Sequence, residues 1–338
     1  MANPILTEAT APVQRLLIDV DTGTDDALAL IYALQQKNTE MIGITTGTGN
    51  TSAKQATVNT LRLLQMMNAT GIPVIKGAHQ PLRREWLGPK TDFHGQDGLG
   101  DYPWGDESSN SFEAAADNSE NDQAAHFIVQ QVNRYPGELT FVSLGRLTNL
   151  ALAFQLDPSL ERKIREVVLM GGAYAVPGNI RPTAETNIYN DPEAAEQIFS
   201  SSVPLTMVGL DVTTKALFTP LHMSVWEDRI SSRSAPVIKL IRHLFQFRMG
   251  AYQRKKDIFA SPLHDPLAVA IALDPELAVT KRIPLYVELE QEHNLGATLP
   301  LQADTEKSSQ RRPVKVCVDV NAEKFIQRFI YSLSHFPI

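Results

Sequence analysis

One cysteine occurs in the 338 residues, so no disulfide can form within the chain. That residue, Cys317, sits in the alternating apolar run Val314, Val316, Val318, which reads as a strand carrying a small core thiol. No stretch of about 18 apolar residues is present, which excludes a membrane-spanning helix. The opening MANPILTEATAPVQ has no basic start followed by an apolar stretch, so no secretory signal is expected. Positive charge is also scarce: 31 Lys and Arg stand against 38 Asp and Glu, a net charge of -7, and the basic residues form no stripe. A phosphate-backbone partner is therefore not expected. These absences predict a cytoplasmic protein with neither a nucleic acid nor a membrane as partner. What is present is 43% apolar and 20% charged residues, the balance of a globular chain with a large core.

Apolar runs of strand length alternate with helical periodicity along most of the chain. The spacing predicts strands at 16–20, 41–45, 139–144, 167–170 and 205–208, interleaved with helices at 25–36, 52–67, 148–155 and 193–199. This βαβ alternation implies an α/β fold: a mainly parallel central sheet flanked by helices, Rossmann-like and open, with inserted loops. No linker rich in Gly, Ser or Pro divides it, so a flexible N-terminal segment at 1–14 and one large domain at 15–338 are expected, closed by a helix at 322–334. Two polar, weakly periodic stretches interrupt the pattern, at 80–121 and 288–312. The first mixes Gly88, Gly95, Gly98, Gly100 and Gly105 with Trp86, Phe93, His94, Tyr102 and Trp104. Hinges and ring surfaces together suit an active-site cover, and equally a mobile surface loop.

The densest chemical signal is LLIDVDTGTDDALAL, where Asp19, Asp21, Asp25 and Asp26 lie between a strand and a helix. Carboxylates so crowded repel one another, and a hard divalent cation relieves the repulsion by collecting their oxygens. Asp25 and Asp26 also suit a helix N-terminus without any metal. In SPLHDPLAVAIALDP, His264 and Asp265 precede Pro266, which suits Asp265 either as a helix N-cap with Pro266 in the first position, beside a surface histidine, or as part of a site in company with the other motifs. MGGAYAVPGNIRPTAETNIYNDPEAA offers Asn179, Glu185 and Asn187. Their amides and carboxylate can divide several hydroxyls between donors and acceptors, or form a surface loop in which Asp191 caps the next helix at Pro192. TTGTGNTS ends a strand with glycines and Asn50; VSLGRLTN ends another with Leu144, which can offer a ligand only its carbonyl. Met170 reads as a core residue.

Taken together, DVDTGTDDALAL, TTGTGN, DFHGQDGLG, VSLGRLTNLALA, MGGAYAVPGN, AETNIYNDPEAA and LHDPLAVA resemble, in this order, the motifs of calcium-dependent nucleoside hydrolases. The resemblance runs from Leu16 to Asp274. It implies that Asp21, Asp26 and Asp265 hold Ca²⁺ by side-chain oxygens and Leu144 by its carbonyl, an oxygen-only set that suits calcium. It implies ribose binding by Asp25, Asn50, Met170, Asn179, Glu185, Asn187 and Asp265, and nucleobase contact by His94, Tyr252 and His264. The implied reaction is hydrolysis of a ribonucleoside to free base and ribose. A calcium-activated water, deprotonated by Asp21, attacks the anomeric carbon through an oxocarbenium-like state, and His264 helps the base leave. A homodimer or homotetramer is implied in the same way.

Two positions depart from the family pattern. Thr22 stands in place of the proline of a common Asp-Pro-Gly, a backbone position that leaves the metal ligands intact. Thr186 stands where some members carry an aromatic beside the ribose-binding glutamate, which leaves the base preference open. Trp86 and Trp104 are unassigned. Two rival readings accompany the hydrolase: a calcium-dependent nucleoside- or ribose-binding protein without turnover, and a haloacid dehalogenase-type phosphatase built on Asp19-Val20-Asp21. The second lacks its usual Thr or Val two residues beyond the second aspartate, where Gly23 stands.

Overall fold

Alternation along β1 (Gln14–Val20) sends Leu16, Ile18 and Val20 to one face and Leu17 to the other, all buried, so both faces of this strand must be covered. The computed structural model describes residues 13–104, 112–113, 116, 123–230, 235–302 and 311–336. Apart from Val13 and Gln14, the expected N-terminal segment lies outside the described residues, and Gln14 already belongs to β1.

The remaining strands are β2 (Thr39–Thr46), β3 (Val74–Lys76), β4 (Leu139–Ser143), β5 (Glu166–Met170), β6 (Leu205–Val208), β7 (Leu217–Phe218), β8 (Ser261–Pro262), β9 (Ala278–Ile283), β10 (Leu285–Val287), β11 (Thr298–Pro300) and β12 (Val314–Val320). Eight of them form one sheet in the order β3-β2-β1-β4-β5-β6-β12-β9. Every pairing in it is parallel except that of the edge strand β9 with β12. Cys317 is fully buried on β12, as its run of valines predicts.

One core lies under α1 (Thr24–Leu34), α2 (Ala53–Met66) and, further along the chain, the helices Pro220–Arg229, Pro236–Lys256, His264–Leu273 and Ala322–Ser334. The opposite face is covered by α3 (Gln123–Arg134), α4 (Thr148–Leu156) and α5 (Pro192–Phe199). The four helices named first by residue are α6, α7, α8 and α9 in chain order. Asp191 caps α5 by accepting the Ala194 N–H at 3.2 Å, with Pro192 in the first turn, as expected. No described helix is long and apolar enough to cross a membrane.

Chain order reverses between β1 and β4, whose neighbours lie on opposite sides. In open parallel sheets such a switch point leaves a crevice outside the strand carboxyl ends, because the flanking connections diverge there. Asp19 and Asp21 stand at that end of β1, and Leu144 directly follows β4.

Both interrupting stretches are partly ordered by close packing. From 80 to 104 the chain is mostly irregular, with one short helix, Thr91–His94. Gly88, Gly95, Gly98 and Gly100 all take positive φ. The second stretch contributes β11, which pairs with β10. Gly105 and the later part of the first stretch, apart from 112, 113 and 116, lie outside the described residues, as do 303–310 of the second.

Candidate active site

Asp19 is fixed first. Its Oδ1 accepts from the Thr45 hydroxyl at 2.5 Å and from Asn149 Nδ2 at 2.7 Å, so β1, β2 and α4 are tied beneath the crevice. Burial pushes its carboxyl up to about 7 despite both hydrogen bonds. Above it, Asp21 Oδ1 accepts from Asn50 Nδ2 at 2.8 Å and Oδ2 from the Asn50 N–H at 3.0 Å. Gly49 has to be a glycine: a Cβ there would fall 1.5 Å from Asp21 Oδ2. Asp26 Oδ2 accepts from the Gly23 N–H at 2.9 Å and from Asn50 Nδ2 at 3.2 Å, and its Oδ1 from the Asp21 N–H at 3.2 Å.

Asp25 reaches across the fold. Its Oδ2 accepts from the His264 and Asp265 N–H groups at 3.1 and 3.2 Å, while Oδ1 faces Arg248 Nη2 at 3.3 Å without a hydrogen bond. This corrects the reading of Asp265 as a helix cap. Helix α8 begins at His264, one residue before Asp265, and its N-cap Leu263 has no side-chain acceptor. The free N–H groups of the first turn go to Asp25 instead, which releases the Asp265 side chain for the crevice.

Asp21, Asp25, Asp26 and Asp265 are each at most 4% exposed. Burial raises all four carboxyls, Asp21 to about 6, and mutual repulsion raises Asp26 and Asp265 further. The Arg248 guanidinium opposes the rise at Asp25, and Arg146 does so at Asp21. Among the described residues no three acidic, imidazole or thiol side chains stand in ready-made metal-ligand geometry. The donors are nonetheless all oxygens, buried and mutually repelling, which is the chemistry that a hard divalent cation neutralises.

Glu185 caps the short helix Thr186–Asn190 by accepting the Asn187 N–H at 2.9 Å and the Ile188 N–H at 3.2 Å; it also takes the Gly172 N–H at 3.1 Å. Burial lifts it to about 7 against these bonds. Asn187 Nδ2 donates to the carbonyls of Leu144 at 2.9 Å and Met170 at 3.1 Å, bringing three expected site residues together. Met170 is also a buried core residue. Asn179 is exposed, and its Oδ1 accepts from the Thr186 N–H and hydroxyl, both at 2.9 Å. It stands on the rim, joined to the site through the Glu185 turn.

The residues expected near the base converge from three elements. His94 is buried rather than exposed: its Nδ1 accepts the Thr24 N–H at 3.1 Å, and a Cβ on Gly23 would come within 2.2 Å of that nitrogen. Tyr252, on α7, packs against Phe93 at a centroid distance of 5.1 Å, and its hydroxyl meets His264 Nε2 at 3.0 Å. Burial, with Arg248 nearby, lowers both histidines to about 3, so both rings are neutral.

The stretch around His94 is fastened to the crevice. Lys90 N–H donates to the Asn50 carbonyl at 2.9 Å, Trp86 Nε1 to the Gly49 carbonyl at 3.2 Å, and Lys255 pairs with Asp92 at 2.7 Å. It is therefore fastened at the crevice rather than a detached surface loop. Trp104 lies apart, over Arg62 at 5.1 Å.

A family model described as inosine-uridine preferring nucleoside hydrolase matches residues 16–327. The chain belongs to this family. Uridine nucleosidase 1 of Arabidopsis thaliana is 34% identical over 278 residues, covering 82% of this chain and 79% of the relative. Among solved structures, a plant nucleoside hydrolase superposes with a TM-score of 0.85 at 35% identity, covering 96% of this chain and 99% of its own. The purine-preferring ribonucleoside hydrolase of Gardnerella vaginalis gives 0.84 at 32% identity, covering 95% and 98%. The chain is thus a nucleoside hydrolase, an enzyme of N-glycosidic bonds.

Membership in a family of hydrolases favours an enzyme over a binding protein and sets aside the phosphatase, for which the geometry also gives a physical reason. Asp19, its required nucleophile, is sealed under Thr45 and Asn149. Three contributors to this nucleoside hydrolase site were not anticipated from the sequence. Arg248 is 2% exposed and donates to the Ser261 hydroxyl, the Thr24 hydroxyl and the Pro262 carbonyl at 2.8, 3.1 and 2.7 Å. A charged residue on the buried stripe Leu240, Leu244, Arg248 of α7 was the available signal. Asn149 and Thr213, the latter 2.8 Å from His264 Nδ1, carry no comparable mark in the sequence.

Proposed function

We propose that this nucleoside hydrolase cleaves ribonucleosides to free base and ribose with the help of Ca²⁺ held by Asp21, Asp26, Asp265 and the Leu144 carbonyl. The observation that carries this reading is the set of four buried carboxylates at the sheet switch point, opposed by few cations. When bound, the cation would supply Lewis acidity and neutralise the cluster.

Asp21 takes the proton of the attacking water. Its carboxyl, raised to about 6, suits a base working near neutrality. Asp25, Asn50, Met170, Asn179, Glu185, Asn187 and Asp265 hold the ribose. Their oxygens surround a sugar that gains positive charge as the glycosidic bond stretches, and a preorganised negative field favours that state over the ground state. On the other side, His94, Tyr252 and His264 face the base. A departing heterocyclic anion is a poor leaving group, and hydrogen bonding from the His264–Tyr252 pair stabilises it.

The test is ribose release from uridine, cytidine, inosine, adenosine, guanosine and xanthosine, with and without a calcium chelator and with calcium restored. Release that falls on chelation and returns with calcium is expected. Undiminished release after complete removal of divalent cations would refute the metal assignment.

A further inference from the structure

We propose that Thr213 is a positioning residue that fixes which nitrogen of His264 carries the proton, so that the ring donates toward Tyr252. The inference rests on the reading of the site given above. Thr213 ends the short helix Leu210–Thr213 that follows β6, and it is fully buried. Its Oγ1 lies 2.8 Å from His264 Nδ1, and on the far side of the ring Nε2 lies 3.0 Å from the Tyr252 hydroxyl. Both ring nitrogens thus meet hydroxyl groups, each able to donate or accept, and distance alone does not set the direction.

Burial does. Among the described residues the Thr213 hydroxyl meets no partner besides His264. If Nδ1 carried the proton, Thr213 would accept it, and the threonine O–H would be left as a sealed donor without an acceptor, which folded proteins avoid. Thr213 therefore donates to a bare Nδ1, and the proton of the neutral ring stays on Nε2. Nε2–H then donates to the Tyr252 oxygen, which frees the Tyr252 O–H for another acceptor. The chain of donors runs in one direction, from Thr213 through His264 to Tyr252. Neighbouring Thr214 cannot take over, because its hydroxyl already donates to the Leu210 carbonyl at 2.7 Å. His94 shows the same arrangement with a different donor: the Thr24 N–H can only donate to its Nδ1, so its proton also lies on Nε2.

Nitrogen NMR of histidine-labelled full-length protein reads the tautomer directly, with a His264→Asn spectrum identifying the resonances. A protonated Nε2 and bare Nδ1 are expected at His264, with loss of that single state in Thr213→Val and its return in Thr213→Ser. A proton on Nδ1 in the wild-type protein overturns the proposal. In turnover, Thr213→Val is expected to lower kcat on uridine roughly tenfold with KM unchanged, and to leave a nitrophenyl riboside, whose leaving group needs little help, within about twofold. Thr213→Ser restores uridine turnover. Equal losses on both substrates overturn the directional role. Wild-type protein that releases ribose from no nucleoside overturns the reading of the site itself, and the nitrogen spectrum then still decides the tautomer.

Discussion

The residues proposed to hold the sugar combine short-range bonds with anchors at strand ends, whereas those proposed to face the base meet mostly across long stretches of chain. On the sugar side, Glu185 takes N–H groups from Asn187 and Ile188, and Asp26 takes that of Gly23. These are bonds within a turn or two, and longer ones from Asn50 to Asp21 and from Asn187 to the Leu144 carbonyl tie the same residues to strand ends whose register the sheet fixes. On the base side, Thr24 and His94 are 70 residues apart, Thr213 and His264 are 51 apart, and Arg248 and Thr24 are 224 apart. Helix α7 and the 80–104 segment still bear on the carboxylates, since Arg248 faces Asp25 and Lys90 holds the carbonyl of Asn50, the partner of Asp21 and Asp26. Asp25 joins the two sides, since it stands in the first turn of α1 and caps α8. The proposed sugar contacts thus sit at strand ends that the sheet fixes, whereas the proposed base contacts come from helices and a loop packed over them.

The largest expected effect tests the sugar side. Asp21→Asn should lower turnover on the order of a thousandfold, as loss of a catalytic carboxylate does elsewhere. The loss should be equal for uridine and a nitrophenyl riboside, because water activation precedes any difference between leaving groups. Thermal unfolding of the variant should show a folded protein, since a buried repelling charge has been removed. A folded variant with wild-type turnover would remove Asp21 from the mechanism.

A second test concerns pH and stability. Glu185 moves from an ordinary 4.5 to about 7 in the folded protein through burial. Folding thus favours its protonated form, and the stability it contributes is complete below 4.5 and is lost as pH rises through about 7. In the presence of chelator, stability should fall across this window by up to about 3 kcal/mol from this group. Glu185→Gln should flatten the fall, leaving the shares due to Asp19, raised to about 7, to Asp21, raised to about 6, and to the other buried carboxyls raised by the same cause. Denaturant titrations across the window measure both slopes, and identical slopes would contradict the assignment.

The same contrast in distance governs what the sequence made legible. Strands 16–20, 167–170 and 205–208 were readable because each is an apolar run with turn residues at its ends, and all three are found within the sheet. The carboxylates of the first motif were readable because they crowd one segment. The cap of α8 is not legible locally, where Asp265 is the nearest acceptor on offer, because the actual acceptor, Asp25, lies 239 residues from the first N–H it takes. Arg248, Asn149 and Thr213 were missed for a related reason: each acts through contacts that exist only after the sheet and helices have packed. Strand β11, and with it the pairing to β10, was hidden in the polar stretch 288–312, where the strand period is short and weak.

The smallest effect, and the one that separates the two sides most clearly, concerns His264. His264→Ala removes the ring between Thr213 and Tyr252 but leaves the carboxylates and their backbone donors untouched, because Asp25 bonds the His264 backbone N–H rather than the side chain. Water activation and sugar binding should survive. Only assistance to the departing base should be lost, so uridine turnover should fall about a hundredfold, within the range of lost acid assistance. The nitrophenyl riboside should change far less. Comparing kcat for the two substrates measures the difference without reference to absolute rates. Equal losses would mean that the ring supports the sugar side as well, and the division between a fixed sugar half and an overlaid base half would have to be given up.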